Sequence, residues 1–493
     1  MSRPNILWIM SDELRASALG CYGESWAPVA TPNIDALAAR GVTFTNNFCN
    51  SPVCVPSRMS ILTAAAPERT GVYFNEGAWK SFPVPVRLKT FPEHFADHGY
   101  RTATLGKSHY ALAYTPWQEE DNAGSSMHGF GLETDPAALQ PIVPPGIPSP
   151  VGGTFPSDRR YPPEQVTWNA LRWLAEADRE QPFLLRVSYL QPHTPVLPPQ
   201  HYRDLYRPSD WPGANLSRGY GSAYEQAYAE MVGGRGFTHE QLQQAQADYH
   251  ALTTWLDTQV GLVLSALRTQ GLEDNTIIVF TSDHGASLGE NGLFGKVVCA
   301  PQSQRTPFIV SYPPRVAAGT RRDDLTENLD LARTLCDLAG IEPDQSFDGR
   351  SVFTDPPPEA VFATVGTGVA GAKASAAANR GEWRNGGGWP RRCCIRTDQW
   401  RFDMNTRQDG AIIAADEEDW FLADVLADPQ ELVNLADDPA HRSTVDILRR
   451  KVLDHVAGSV EPEFVPVFSE DEAPEFRPPS IAKVTAAPDQ SLS

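Results

Sequence analysis

The 493-residue sequence lacks the features that would place it in a membrane or direct it to secretion. No apolar run approaches the roughly 18 residues that are needed to cross a bilayer. The first apolar stretch, residues 5–10, is too short for the hydrophobic part of a secretory signal, and no small-residue cleavage site follows it. From these absences we expect a cytoplasmic protein with no membrane partner.

Two further absences concern disulfides and concentrated positive charge. The seven cysteines are odd in number and scattered, which is more typical of reduced thiols than of a disulfide framework. There is no basic block, and 41 Lys and Arg residues stand against 61 Asp and Glu residues, giving a net charge of −20. We therefore expect no nucleic-acid partner, although a local cluster of Lys, Arg and His can still bind a small anion.

Helical patterns alternate with buried apolar runs along most of the chain, and hydrophobic residues make up 41% of it. This alternation is typical of a doubly wound α/β fold with a mostly parallel sheet. The predicted strands are residues 5–10, 42–48, 101–105, 183–190 and 276–281. The predicted helices are residues 32–41, 90–98, 162–178 and 239–269.

The composition changes after residue 355, where short strand-like pieces replace the alternating pattern. We expect a large α/β domain over 1–355 and a smaller C-terminal α+β domain over 356–493, with an antiparallel sheet and a Pro-rich tail. The predicted C-terminal elements are strands 360–365, 392–397, 400–403 and 419–424, and a helix near 440–457. Two Pro- and Gly-rich stretches, 111–165 and 195–238, are predicted to be long loops at the rim of a pocket.

Polar residues of the kinds used in catalysis follow four of the predicted parallel strands. They are Asp12 and Glu13, Lys107 and His109, His193, and Asp283 and His284. Ligands of open α/β sheets bind beyond the carboxyl ends of the strands, so we expect these residues to share one cleft. Acids, imidazoles and a lysine together indicate a divalent cation beside an anion. Taken singly, each has an ordinary explanation, such as a helix N-cap for Asp12.

Cys54 lies where a helix is predicted to begin, since Pro56 and Ser57 suit a first helical turn. A cysteine at a helix N-terminus has a lowered pKa and lies in a field that favours anions. From the residues alone, Cys54 could be a thiolate nucleophile, a metal ligand or a buried side chain.

The segment from Cys54 to Arg58, Cys-Val-Pro-Ser-Arg, resembles the C-x-P-S-R motif of the type I sulfatases, formylglycine-dependent members of the alkaline phosphatase superfamily. Other segments match the family in the same order, namely those at 31–35, 106–109, 192–195 and 282–285, followed by Gly289, Glu290 and Lys296. The resemblance implies an alkaline phosphatase-like fold, with a large mostly parallel sheet sandwiched by helices. It also implies metal-dependent hydrolysis of sulfate esters.

The resemblance further implies a bound cation, a set of ligands for it and a chemical modification of Cys54. One divalent cation is expected, Ca²⁺ in the first place with Mn²⁺ or Zn²⁺ as alternatives. Its implied ligands are Asp12, Glu13, Cys54, Asp283 and His284, with Glu13 at a position where the family usually has Asp or Gln. A formylglycine-generating enzyme would oxidise Cys54 to formylglycine, whose hydrate attacks the ester and later releases the inorganic anion.

Five further residues receive catalytic roles from the same resemblance. Arg58 would orient the hydrated aldehyde, and Lys107 and Lys296 would neutralise charge on the non-bridging oxygens. His109 would assist the second hydroxyl, and His193 would face the leaving-group oxygen as a general acid.

Two alternatives stay open at this point. The first is a phosphonate monoester or phosphodiester hydrolase that uses the same diol. The second is a non-catalytic anion-binding protein with unmodified Cys54, which is indicated only by the unusual residues Val55, Ala64 and Ala65 near the motif. In either catalytic case the expected partner is a small anionic ester, and a homo-oligomer is compatible with the sequence.

Overall fold

A computed structural model of the protein describes residues 3–75, 87–112, 114–125, 139–143, 149–156, 159–213, 220–366, 368, 390–408 and 411–461. Its main element is an eight-stranded sheet. In chain order the strands are β1 (Asn5–Asp12), β2 (Val42–Phe44), β3 (Arg101–Gly106), β4 (Glu119–Asp121), β5 (Phe183–Pro192), β6 (Thr276–Ser282), β7 (Phe308–Ser311) and β8 (Thr320–Arg322). Their order across the sheet is β8-β2-β7-β6-β1-β5-β3-β4. Only β7 runs antiparallel to its two neighbours in this sheet.

Strand β1 lies in the middle of the sheet and is buried along its whole length. Its side chains alternate between two cores, because successive residues of a strand point to opposite faces. Leu7 and Ile9 pack into one core, and Ile6, Trp8 and Met10 pack into the other. A strand that is buried on both faces reads as a continuous apolar run, which is why residues 5–10 were recognisable.

Helices cover both faces of the sheet. The α-helices of the described residues, in chain order, are α1 (Pro32–Ala39), α2 (Cys54–Thr63), α3 (Pro67–Thr70), α4 (Phe91–Asp97), α5 (Glu164–Ala175), α6 (Gln200–Arg203), α7 (Ala223–Met231), α8 (His239–Thr269), α9 (Pro301–Gln304), α10 (Asp330–Ala339) and α11 (Arg442–Val456). Helices α1, α5 and α8 contribute to the first core, whereas α2, α4 and α10 contribute to the second. The described helices include none that combines the length and the apolar character needed to span a bilayer.

A second, antiparallel sheet follows in the C-terminal part of the chain. Its strands are β9 (Val361–Val365), β10 (Arg391–Arg396), β11 (Trp400–Gln408), β12 (Ala411–Ile412) and β13 (Trp420–Asp424). Helix α11 packs on one face through Val445, Leu448 and Val452, which join a core with Ile395 and Phe402.

The predicted fold class is confirmed: a large, mostly parallel sheet between helices precedes a small antiparallel sheet. Three local predictions were wrong. The strand predicted at 42–48 is interrupted: residues 42–44 form β2, and residues 47–48 pair with 326–327 in a separate ladder. The loop predicted at 111–165 contains β4 at the edge of the large sheet. The loop predicted at 195–238 contains helices α6 and α7, and a capping box between Ser222 and Glu225 fixes the start of α7.

Candidate active site

The order of the central strands brings the four groups of polar residues to one edge of the sheet. Strands β6, β1, β5 and β3 are consecutive neighbours. Asp283 follows β6, Asp12 ends β1, His193 follows β5 and Lys107 follows β3. Because these strands are parallel, their carboxyl ends lie together, as the sequence predicted.

Arg58 ties the two strand-end aspartates to the helix that begins at residue 54. Its guanidinium donates from Nη2 to Asp12 Oδ2 at 2.9 Å and from Nε to Asp283 Oδ2 at 2.8 Å. A third bond runs from Nη1 to the carbonyl oxygen of Lys107 at 2.9 Å. All three side chains that make these ion pairs are fully buried. The planar, forked donor is suited to such bridging, because one group holds two carboxylates at fixed positions.

Cys54 is the first residue of α2 and is surrounded by the predicted site residues. Its sulfur lies 2.9 Å from Lys296 Nζ, 3.2 Å from His284 Nε2 and 3.6 Å from Asp12 Oδ1. Lys107 Nζ lies 4.0 Å away on the side of Asp12, with which it also forms an ion pair. The helix N-terminus, two ammonium groups, a carboxylate and an imidazole therefore converge on residue 54.

The charges around Cys54 create a strongly positive local field. Burial alone would raise the pKa of the Cys54 thiol, but Lys107, Lys296 and His284 outweigh it and hold the pKa well below its usual value. An anion at this position is thus stabilised in a protein whose net charge is −20. The cleft can therefore hold a small anion even though the protein as a whole is acidic.

The two aspartates that pair with Arg58 differ in the direction of their pKa shifts. Burial opposes ionisation of Asp12, yet Lys107, His193 and Arg58 together hold its pKa below the usual value. For Asp283, burial and the neighbouring charge of Asp12 raise the pKa. Two buried carboxylates that face each other in this way form a site that favours additional positive charge.

Glu13 points toward the mouth of the cleft. Its backbone has a φ of 63°, and its side chain lies 3.4 Å from Lys296 Nζ and 3.4 Å from His193 Nε2. His193 donates through Nδ1 to the carbonyl oxygen of Thr194 at 2.6 Å, so Nε2 is the ring nitrogen that faces the cleft. Its side chain is 21% exposed, whereas Cys54 is fully buried, which puts His193 on the solvent side of residue 54.

His109 differs from the other imidazoles of the site. Burial and the positive charge of Lys107 lower the pKa of His109 to about 4, so the ring is neutral at pH 7. Its Nδ1 is buried and makes no hydrogen bond to the described residues. A neutral imidazole can accept a proton, and that is the capacity the sequence analysis required at this position.

The residues present fit a cation at this site. Ligand atoms of Asp12, Cys54, Asp283 and His284 lie within 4.8 Å of one another, and all four residues are buried. His284 donates through Nδ1 to the carbonyl oxygen of Gly285 at 2.9 Å, which turns Nε2 toward the other three. Glu13 does not join this group of four; it clusters instead with Asp12 and His193.

Comparison with known proteins identifies the family to which the chain belongs. The sequence profile of the Sulfatase family matches residues 4–341, well over half of the chain. The chain belongs to the sulfatase family. Mouse iduronate 2-sulfatase is 32% identical in an alignment that covers 68% of this chain and 69% of that protein. The choline-sulfatase of Rhizobium meliloti is 28% identical in an alignment that covers 90% of this chain and 84% of that protein.

Solved structures agree on the fold of this sulfatase. The phosphonate monoester hydrolase of Agrobacterium radiobacter superposes with a TM-score of 0.74 and 23% identity, covering 93% of this chain and 96% of that one. A chain solved with its substrate D-glucosamine-2-N,6-O-disulfate superposes with a TM-score of 0.70 and 20% identity, covering 93% and 98%. One of these proteins is a phosphonate monoester hydrolase and the other has a sulfated sugar as its substrate, so the shared fold does not identify the substrate of this chain.

Sequence reasoning missed several residues that position the site of this sulfatase. Asn328 donates from Nδ2 to the carbonyl oxygens of Ser282 and Asp283, both at 3.1 Å, and holds the end of β6. Ser188 on β5 accepts a bond from Arg58 Nη1 at 3.1 Å. Ser57 donates to the carbonyl oxygen of Asp283 at 2.5 Å, and its place in the Cys-to-Arg motif was the one available signal. Neither Asn328 nor Ser188 belongs to a recognisable pattern.

Proposed function

We propose that the protein hydrolyses sulfate esters through a formylglycine formed at Cys54, with one divalent cation held beside it. The observation that carries the proposal is the position of residue 54, whose side chain contacts Lys296, His284 and Asp12 at the buried N-terminus of α2. An ordinary buried cysteine does not require two lysines around it, and Cys49 five residues earlier has none among its described hydrogen-bond partners.

The proposed cation ligands are Asp12, Asp283, His284 and the modified residue 54, with Glu13 as a further candidate. We propose Ca²⁺ because carboxylate oxygens dominate the set, and Mn²⁺ or Zn²⁺ as alternatives because an imidazole nitrogen is included. When bound, such a cation polarises an ester oxygen and favours an ionised hydroxyl on the hydrated aldehyde. The maturation partner would be a formylglycine-generating enzyme.

Arg58 and the two lysines prepare the site for a sulfate group. By fixing Asp12 and Asp283, Arg58 would hold the cation ligands in place before substrate arrives. Lys296 and Lys107 approach residue 54 with their ammonium groups, where non-bridging sulfate oxygens would lie. Charge that grows on those oxygens in the transition state would meet fixed positive groups in a buried site.

The two histidines would have opposite roles in proton transfer: His109 would accept a proton and His193 would donate one. His109 is neutral at pH 7 and buried, so it suits removal of a proton from the second hydroxyl of residue 54. His193 is partly exposed, and Thr194 fixes its Nδ1, so Nε2 can deliver a proton to the departing alcohol. Glu13 Oε2 lies 3.4 Å from that nitrogen.

Lys296→Met tests the assignment of the closest ammonium group. The substitution keeps an unbranched apolar side chain and removes the charge, so we expect kcat/KM for a sulfate ester to fall about 10²- to 10³-fold. The measurement is steady-state hydrolysis of an aryl sulfate by variant and parent. Lys89→Met is the matched control, because Lys89 pairs with Asp97 at the surface and should leave kcat/KM unchanged. An equal effect of both substitutions would contradict the assignment.

The alternative substrate class is a phosphonate monoester or phosphodiester, which the same groups could bind. We expect the higher kcat/KM for an aryl sulfate over a matched aryl phosphonate, since the curated relatives are sulfatases. Parallel kinetics on both esters decide the matter, and a much higher value for the phosphonate would end the sulfatase proposal. A protein with unmodified Cys54 that binds anions without hydrolysing either ester is the non-catalytic alternative.

The division of the chain into a catalytic domain and a C-terminal subdomain is also a proposal. We assign catalysis to 1–355 and propose a C-terminal subdomain over 356–493, of which 367, 369–389, 409–410 and 462–493, the predicted Pro-rich tail among them, lie outside the described residues. The last strand of the large sheet ends at Arg322, and the antiparallel sheet begins at Val361, which supports a boundary between them.

A further inference from the structure

A second group of metal-binding side chains lies where α3 meets the C-terminal sheet. Glu68 belongs to α3, Cys393 to β10 and His455 to α11. The carboxylate oxygen, the thiol sulfur and an imidazole nitrogen lie within 4.8 Å of one another. None of the three is among the residues assigned above to the site at residue 54.

Several polar atoms of this group are buried without a hydrogen-bond partner. Both carboxylate oxygens of Glu68 and Nε2 of His455 are in this state, although Glu68 is only 6% exposed. His455 Nε2 lies 3.3 Å from Glu68 Oε2, yet the two atoms lack the alignment of a hydrogen bond. Glu68 thus has an ion-pair neighbour in His455 but no aligned hydrogen bond to the described residues, and buried polar atoms in this state call for a ligand or an ion.

The spacing and chemistry of the three donors fit zinc. In a tetrahedral zinc site with bonds of about 2.0–2.1 Å to nitrogen and oxygen, two ligand atoms lie about 3.3–3.4 Å apart. The 3.3 Å between His455 Nε2 and Glu68 Oε2 matches this edge. One sulfur, one nitrogen and one oxygen form the mixed set that a borderline-soft cation prefers over calcium or magnesium.

The surroundings hold the donors in position. The ring of His455 stacks on Phe362, with centroids 3.9 Å apart and planes inclined by 5°. Cys393 is fully buried in the ladder between β9 and β10. The backbone N–H of Val460 donates to the carbonyl oxygen of Glu68 at 2.7 Å, which links the segment after α11 to α3.

We propose that Glu68, Cys393 and His455 bind one Zn²⁺ ion. The ion would clamp the C-terminal sheet and α11 to the segment that follows the nucleophile helix α2. Cys393 binds as its thiolate, so each Zn²⁺ that enters releases one proton to the solvent. With three protein donors, we expect a water molecule as the fourth ligand.

Cobalt titration of the full-length Cys54→Ala protein tests this proposal, because Co²⁺ bound to a thiolate gives a charge-transfer absorption band. Alanine at residue 54 removes the thiol of the first site, so the band can report on the second. We expect one equivalent of Co²⁺ to produce the band and Zn²⁺ to abolish it. Adding Cys393→Ser should eliminate the band, whereas adding Cys394→Ser, the neighbouring buried thiol, should retain it.

The opposite results are equally clear. No thiolate band in the Cys54→Ala protein, or a band that persists after Cys393→Ser, would overturn the proposal. If the Cys393→Ser chain fails to fold by circular dichroism, Glu68→Gln replaces it, and we then expect at least about tenfold weaker Co²⁺ and Zn²⁺ binding. Unchanged affinity in Glu68→Gln would also overturn it. These readouts require no hydrolytic activity, so they are independent of the function proposed above.

Discussion

Cys54→Ser is expected to reduce steady-state hydrolysis of a sulfate ester by about 10⁴-fold or more and to release at most one alcohol per enzyme molecule. Serine keeps an oxygen beside Lys296 and His284, where the cysteine sulfur lies at 2.9 and 3.2 Å. That oxygen can attack once, but it carries no second hydroxyl, so the covalent ester cannot collapse to an aldehyde and free sulfate. The measurements are rapid-mixing kinetics of alcohol release and intact mass of the protein afterwards.

Two companion variants separate this effect from general damage. Cys54→Ala should give neither an initial release of alcohol nor a covalent adduct, because it has no attacking atom. Cys49→Ser should retain activity, since Cys49 is equally buried but its sulfur donates to the carbonyl oxygen of Ser303, at 3.9 Å, and makes no hydrogen bond to Lys107 or Lys296 among the described residues. Repeated turnover by Cys54→Ser would rule out the diol mechanism.

Arg58→Lys is expected to lower kcat/KM by about 10²-fold or more even though the positive charge is kept. A single ammonium cannot reach Asp12, Asp283 and the carbonyl oxygen of Lys107 at once, as the guanidinium does with bonds of 2.8–2.9 Å. The two buried carboxylates would lose their fixed spacing. We also expect the free energy of unfolding to fall by about 2–3 kcal/mol, because charged hydrogen bonds are lost.

The matched control is Arg186→Lys. Arg186 is also fully buried and lies on β5, but it has no carboxylate partner among the described residues and donates from Nε to Thr104 at 2.9 Å. Urea unfolding and kcat/KM should be measured for both variants. We expect a much larger loss of activity for Arg58→Lys, and equal losses in the two variants would show that burial, not the bridge between aspartates, is responsible.

The positions of the main site residues were predictable because their signals are local. A continuous apolar run marks a central strand, and the polar residue directly after it lies at the edge where ligands bind; Asp12 and Asp283 follow this rule. Cys54 was predictable for the same reason, since the proline and serine that follow it mark the start of a helix.

Contacts between distant segments were not predictable in the same way. Asn328, in a loop that precedes α10, donates a hydrogen bond to the carbonyl oxygen of Asp283, and no spacing in the sequence predicts this contact. Strand β7 runs antiparallel between β6 and β2 through pairings that depend on the whole sheet. The group of Glu68, Cys393 and His455 comes from three elements, and Glu68 is separated from the other two residues by more than three hundred positions in the sequence. Such neighbours are set by tertiary packing, not by local pattern.

The peptide Gly41–Arg58, released by trypsin from active protein made in a host with the modifying enzyme, offers the most direct test of the central claim. It contains Cys49 and Cys54 and no internal Lys or Arg. After treatment with a thiol-alkylating reagent, we expect mass spectrometry to find Cys49 alkylated and residue 54 as an aldehyde, with H₂S exchanged for oxygen. Alkylated thiols at both positions in protein that still hydrolyses sulfate esters would contradict the account.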